Sequence, residues 1–273
     1  MRTAIRDFTL RRARTLEGAL KILREEPGTV PLAGCTDVYV ALEFGQRPGK
    51  HYLDLTPLAA LRRITTRGDQ LVLGALATYS DLQRSRLVRA RLPMLVQAAS
   101  EVGGVQIQNR GTIGGNLANG SPAGDTLPVF AAVDATVVLH GPGGERRVPF
   151  TAFYTGYRAC VRRPDELITA VEVGSVQGRQ WFRKVGTRAA QAISKVVFAG
   201  VRAASPTLAL GSVGPTVIRL VNTETVLARN PSLEAACQAL DAEIHPIDDL
   251  RSTAQYRRTV AANLLRQFWK ETA

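Results

Sequence analysis

Residues 109–125 read NRGTIGGNLANGSPAGD, and no other run limits the fold of this chain as tightly. The glycines at 111, 114, 115, 120 and 124 can take positive φ and leave main-chain N–H groups bare, so a bulky anion can approach the backbone. Such a surface can cradle a pyrophosphate. Thr112, Asn116, Asn119 and Ser121 add short hydrogen-bonding side chains, and Asp125 stands directly before TLPVFAAV, where it can cap a helix or accept a ligand hydroxyl. On its own the run reads equally well as a long structural turn.

A second segment, PLAGCTDVYVALEFG, matches the first. Residues 30–32 read as a strand, 33–36 as a tight turn and 37–44 as a short helix. The first N–H groups of a helix are unpaired and carry the positive end of its dipole, so strand, small-residue turn and helix start together make an anion site. Neither run is a GxGxxG dinucleotide fingerprint or a GxxxxGK[ST] phosphate loop. A nucleotide cofactor held by two separate bends is the reading that follows.

AGCTD at 33–37 and QNRGTIGGNLANGSPAGD at 108–125 resemble the two FAD-binding segments of the flavoprotein subunits of molybdenum hydroxylases. That group includes the carbon monoxide dehydrogenase medium subunit and the FAD domain of xanthine dehydrogenase. The resemblance continues through DELITAVEV (165–173), FRKVGTRAAQAISKV (182–196), ALGSVGPTVIR (209–219) and RSTAQYRRTVAANLLR (251–266), nearly the whole chain. Cys35 departs from it, standing where many members have a second glycine. The implied fold is α+β: a two-subdomain FAD-binding fold of the PCMH/vanillyl-alcohol-oxidase type over 1–56 and 57–174. A C-terminal α+β domain over 175–273, an antiparallel sheet with helices, follows it.

A flavin needs a pyrophosphate cradle, contacts that orient its ring, and local charge to tune its potential. The backbone at Leu32, Ala33, Gly34, Cys35, Thr36 and Asp37, with Thr112, Gly114 and Gly115, is the candidate cradle. Asn116, Asn119, Ser121 and Asp125 are candidates for the ribityl and ribose hydroxyls or the ring edge. The resemblance further implies that Val102 approaches the ring, Ile168 gives a backbone contact and Lys184 reaches the flavin from the third domain. It implies noncovalent FAD, with the molybdenum cofactor on a molybdopterin-binding large subunit and [2Fe-2S] clusters on a small subunit. Electrons would leave to NAD+ or another acceptor, from a dimer of heterotrimers. A stand-alone FAD-dependent oxidoreductase and an FAD-free scaffold homologue are the alternatives.

Around these segments the pattern predicts a helix over 15–25, with Leu16, Ala19, Leu20 and Leu23 on one face and Pro27-Gly28 as the stop. QRPGK then reads as a loop and 51–55 as a strand, completing a β-α-β unit. Strands over 61–65 and 71–73, a helix capped by Thr78 to about 84, and a helix over 92–102 lead to the glycine-rich run. A helix over 126–133, a hairpin of 135–140 and 145–149 around GPGG, and a strand over 167–173 come after it. The last part predicts strands over 181–185, 193–202, 208–213 and 217–220, then helices over 222–229, 233–240 and 253–269.

Composition removes other classes of function. Cys35, Cys160 and Cys237 are too few and scattered to ligate an iron–sulfur cluster, and the three histidines, His51, His140 and His245, lack ligand spacing. Any electrons passing through this chain need an organic cofactor or a neighbour's metal. A net charge of +12 fits attraction of anionic small molecules and acidic partner subunits. The arginines are dispersed with no aromatic-interleaved basic stripe, which argues against nucleic acid. No run approaches the roughly 20 apolar residues of a membrane helix, and MRTAIRDFTLRRA lacks the apolar core of a secretion signal, so the reading is a cytoplasmic protein.

Overall fold

A computed structural model describes residues 8–46, 49–229 and 232–273. The first part of the chain is β1 (Thr9–Arg12), α1 (Leu16–Glu25), β2 (Val30–Leu32), α2 (Thr36–Glu43) and β3 (His51–Asp54). Thr15 caps α1 by accepting from the Gly18 N–H, and the helix buries Ala19, Leu20 and Leu23. The three strands pair in parallel in the order β1-β3-β2, so the β-α-β unit gains an N-terminal strand that TLRR, exposed throughout, does not announce. The expected QRPGK loop lies partly outside the described residues, at 47 and 48.

The second part runs β4 (Ile64–Arg67), β5 (Gln70–Gly74), α3 (Tyr79–Arg84), α4 (Arg86–Arg91), α5 (Pro93–Ser100), α6 (Val105–Arg110), α7 (Ile113–Asn119), α8 (Leu127–Ala132), β6 (Thr136–Gly141), β7 (Gly144–Pro149), β8 (Tyr154–Gly156), β9 (Ala159–Cys160) and β10 (Leu167–Val173). Its antiparallel sheet has the order β4-β5-β10-β6-β7, which places β10 at the centre and buries six of its seven residues. The β6–β7 hairpin turns at Pro142-Gly143 as its sequence predicts, with Gly144 at φ 91°. The helix expected over 92–102 stops at Ser100, and the short helices α4 and α6 come out of stretches that read as connections.

The chief correction concerns the glycine-rich run, which is no loop. Its centre is α7, and of the five glycines only Gly120, the αL cap, takes positive φ. Tertiary contacts override the low helix propensity of Gly114-Gly115. Thr112 caps the Gly115 N–H, and α7 buries Ile113, Gly114 and Leu117 against the main core.

The third part is β11 (Arg179–Val185), β12 (Val196–Arg202), β13 (Thr207–Gly211), β14 (Ile218–Arg219), α9 (Val221–Arg229), α10 (Leu233–Glu243) and α11 (Ala254–Glu271). The strand expected over 193–202 starts only at Val196. In the antiparallel sheet β11-β12-β13-β14 the central strands β12 and β13 are buried on both faces, while the edge strands β11 and β14 are only partly covered. Because side chains alternate, Val196 and Phe198 join Trp181, Leu264 and Phe268 beneath the helices, while Val197, Ala199 and Val201 join Phe182 in the core shared with the second part. Lys184, two residues from Phe182, therefore points toward the second part. Among the described residues no helix is long and apolar enough to cross a membrane.

Candidate functional site

The two bends meet. A side-chain carbon at Gly34 would collide with the Arg110 carbonyl oxygen, so only glycine lets the turn after β2 lie against the start of the 110–112 segment. The contact continues outward, where Asn119 Nδ2 donates to Asp37 Oδ1 at 2.9 Å. Cys35, at φ 63°, forms the left-handed corner before α2 and gives that helix no side-chain cap. Its Sγ lies 3.6 Å from the Ala33 carbonyl, burial raises the thiol pKa, and the charge of Arg110 opposes the rise. The N–H groups of Thr36, Asp37 and Val38 find no partner among the described residues. Leu32, at the end of β2, uses its carbonyl to accept from the Leu55 N–H and so anchors the bend to the sheet.

The second bend is chemically different from what its glycines promise. Ile113 N–H donates to the Ala77 carbonyl at 3.0 Å, Gly114 N–H to the Ala75 carbonyl at 2.7 Å and Gly115 N–H to Thr112 Oγ1 at 3.0 Å. All three amides are spent inside the chain. Gly114 is glycine because a side-chain carbon would sit 2.8 Å from Ala75 Cβ, a packing reason. What this bend offers is its side chains. Asn116 Oδ1 accepts from Thr126 Oγ1 at 2.7 Å, and Asn119 Oδ1 accepts from Arg158 Nη1 at 3.2 Å. Ser121 Oγ accepts from the Ala123 N–H at 3.3 Å and shapes the turn toward Asp125.

Asp125 and Lys184 form the buried centre of the arrangement. Lys184 Nζ donates to Asp125 Oδ2 and to the Glu101 carbonyl, both at 2.8 Å, and the two side chains are 5% and 9% exposed. Burial pushes the Asp125 carboxyl up to about 6, against the opposing charge of Lys184. Its second oxygen, Oδ1, is occluded and has no partner among the described residues. A hollow of about 220 Å³ opens beside Lys184, lined by Glu101, Arg183 and Arg188. Val102 follows Glu101 directly and packs half-buried against the main core. Ile168 is buried in β10; its neighbour Thr169 accepts from the Ala75 N–H, and the Ala75 carbonyl accepts from Gly114, so two backbone bonds tie it to α7.

The predicted residues thus converge from three parts of the chain. Two cations that the sequence reading passed over stand among them: Arg110, beside Cys35, and Arg158, at φ 54°, bonded to Asn119. Arg110 stands inside the glycine-rich run, where the reading rests on its neighbours, Arg158 lies in no motif, and only folding brings β8–β9 and the end of α6 to α2.

The donor set fits a dinucleotide. An open helix start, a glycine-only approach of two backbones and an orphaned buried carboxylate oxygen are what such a molecule would engage. Residues 6–175 match the model of the FAD binding domain in molybdopterin dehydrogenase. The chain belongs to this family. Residues 181–272 match the CO dehydrogenase flavoprotein C-terminal domain. The chain is 33% identical to the carbon monoxide dehydrogenase medium chain of Hydrogenophaga pseudoflava over 80% of each chain. It is 31% identical to the xanthine dehydrogenase FAD-binding subunit of Escherichia coli O157:H7 over 90% of this chain and 89% of that one. A solved structure of carbon monoxide dehydrogenase from Hydrogenophaga pseudoflava superposes with a TM-score of 0.90 at 28% identity, covering 97% of this chain and 98% of that one. Membership of this family makes the protein a flavoprotein subunit of an oxidoreductase.

Proposed function

We propose that this chain is the electron-carrying subunit of a molybdenum-containing hydroxylase or dehydrogenase. It takes electrons from the [2Fe-2S] clusters of a small partner subunit and passes them to NAD+ or another acceptor. A molybdopterin-binding large subunit oxidises the substrate, and the complex is a cytoplasmic dimer of heterotrimers. The divisions 1–56, 57–174 and 175–273 serve as the two halves of the FAD-binding fold and the domain that closes it. The observation that carries the reading is the chain of contacts in which the turn before α2 meets the glycine-rich segment at Gly34–Arg110 and Asp37–Asn119, and the end of that segment, Asp125, pairs with the buried Lys184.

Bound there, FAD would supply the means to collect electrons singly and release them in pairs. The chain's own residues would hold and tune it. The open N–H groups of α2, reached through the turn of Leu32, Ala33, Gly34 and Cys35, would bind the diphosphate, with the Thr36 hydroxyl beside them. Thr112, Gly114 and Gly115 shape the facing wall, while Asp37, Asn116, Asn119, Ser121 and Asp125 would bind hydroxyls or the ring edge. Val102 and Ile168 would border the ring. Lys184 keeps a positive charge in a nearly dry place, where it favours an electron-rich neighbour more strongly than a solvated lysine does.

Purification from the native host tests the assignment. The chain should carry the visible absorbance of protein-bound flavin and co-purify with an iron–sulfur chain and a molybdenum chain. A colourless protein that takes up no added FAD would make it a scaffold. A flavin-loaded chain that turns over substrate alone would make it a stand-alone oxidoreductase.

A further inference from the structure

The turn between α7 and α8 is gripped from the third part of the chain by a small polar network. Ser212, directly after β13, stands in the left-handed region at φ 66°. Its N–H donates to the Pro122 carbonyl at 2.8 Å, and its own carbonyl accepts from Arg257 Nη1 at 3.0 Å. Its hydroxyl donates to Ser194, whose Oγ lies 2.8 Å away and whose carbonyl lies 3.2 Å away. Ser194 Oγ donates in turn to the Ala123 carbonyl at 3.1 Å. Asp249 fixes Arg257 from behind at 2.7 Å. Gly211 completes the approach, since a side-chain carbon there would lie 3.1 Å from the Pro122 carbonyl oxygen. Both serines and Arg257 are buried, so bulk water does not compete for these bonds.

Ala123 and Pro122 stand two and three residues before Asp125. The Asp125 carboxylate has one hydrogen-bond partner among the described residues, Lys184 Nζ at 2.8 Å. Its distance from that cation therefore follows from where the backbone of the turn is held. Lys184 also donates to the Glu101 carbonyl, a second tether that keeps the ammonium in place if the carboxylate moves. In so dry a place, a small displacement of the counter-ion changes the field of the lysine far more than it would at a solvated surface.

We propose that Ser194 and Ser212 are positioning residues for the electron carrier: they seat Asp125 against Lys184 and so set how much of that lysine's charge reaches the bound flavin. The role rests on the FAD reading, and the serines act through Asp125 rather than by touching the cofactor.

Ser194→Ala removes the hydrogen bond to Ala123 and leaves the main chain intact. Midpoint potentials of the FAD-loaded full chain are measured by spectroelectrochemistry for this variant, for Asp125→Asn and for the two combined. With Asp125 released, Lys184 is less neutralised, and reduced FAD should bind about tenfold more tightly relative to oxidised FAD, a rise of about 30 mV in the two-electron potential. Asp125→Asn should raise the potential at least as far, and the double variant no further than Asp125→Asn alone. Ser212→Gly deletes the other hydroxyl and suits the left-handed corner. It should give a smaller rise that Asp125→Asn likewise abolishes, and it decides the matter if Ser194→Ala does not fold. An unchanged potential in the serine variants overturns the proposal. So does a shift that persists undiminished in the Asp125→Asn background, which marks a general structural effect, or an Asp125→Asn variant with no shift of its own. Failure of the unsubstituted chain to bind FAD would instead remove the functional reading itself.

Discussion

The helix starts of α2 and α7 look alike in sequence, each a small-residue turn leading into a short helix, and the fold treats them in opposite ways. At α2 the cap residue is a left-handed cysteine with no capping hydrogen bond, and the first amides are open. At α7 the cap is a threonine, and the amides of Ile113, Gly114 and Gly115 are consumed by Thr112 and by the carbonyls of Ala75 and Ala77. A glycine-rich helix start is therefore no anion site in itself. What decides is whether a neighbouring segment has carbonyls to spare, as the stretch after β5 does at Ala75 and Ala77. The open first amides are those of α2, whereas α7 spends its first amides inside the chain and presents polar side chains.

The contrast can be broken most forcefully at the glycines. Gly34→Ala forces a side-chain carbon into the Arg110 backbone, parting the two bends, and should abolish FAD retention at a cost above about 3 kcal/mol of folding stability. Gly114→Ala meets Ala75 at the edge of a helix that binds no anion through its amides, so it should cost about 1–3 kcal/mol in chemical denaturation yet leave the FAD affinity of the folded fraction near normal. Equal loss of affinity in both variants would erase the distinction between cradle and wall.

Lys184→Ala has the next effect and depends on pH. Removing the cation leaves Asp125 buried beside no counter-charge, which should destabilise the chain by about 3 kcal/mol at pH 8. The Asp125 pKa is raised, so the folded state holds that proton more tightly than the unfolded state. Its favourable contribution is complete below the ordinary carboxylate range and is lost as pH rises through about 6. The penalty of the variant should accordingly be small at pH 5 and grow toward pH 8, with a lowered flavin potential in the loaded protein. A penalty independent of pH would mean that the pair is not ionised. Smallest of all, Cys35→Gly should stabilise by no more than about 1 kcal/mol, since relief of the left-handed corner is partly offset by the greater chain entropy of glycine.

Most of this site was legible where chemistry is local. The first helix, Thr78 as a cap, the β6–β7 hairpin and the bend before α2 follow from residues within a few positions of each other. The conformation of residues 113–119 was not, because the carbonyls that hold Gly114 and Ile113 in a helix come from 75 and 77, more than thirty residues back. The same distance hid Arg158, whose place is set by a strand pair. Lys184 sits between these cases. Its facing follows from strand alternation, but its partner Asp125 is 59 residues away.

No side chain of α2 is buried, and Tyr39, Val40 and Phe44 lie open on its surface. Short helices owe their persistence to what they pack against, and this one is eight residues long. It is secured at its front end, where Gly34 abuts Arg110 and Asp37 meets Asn119. The helix thus behaves as a latch whose firmness comes from its leading turn, and a guest seated there would stiffen the protein at the place where it invests least of its own interior.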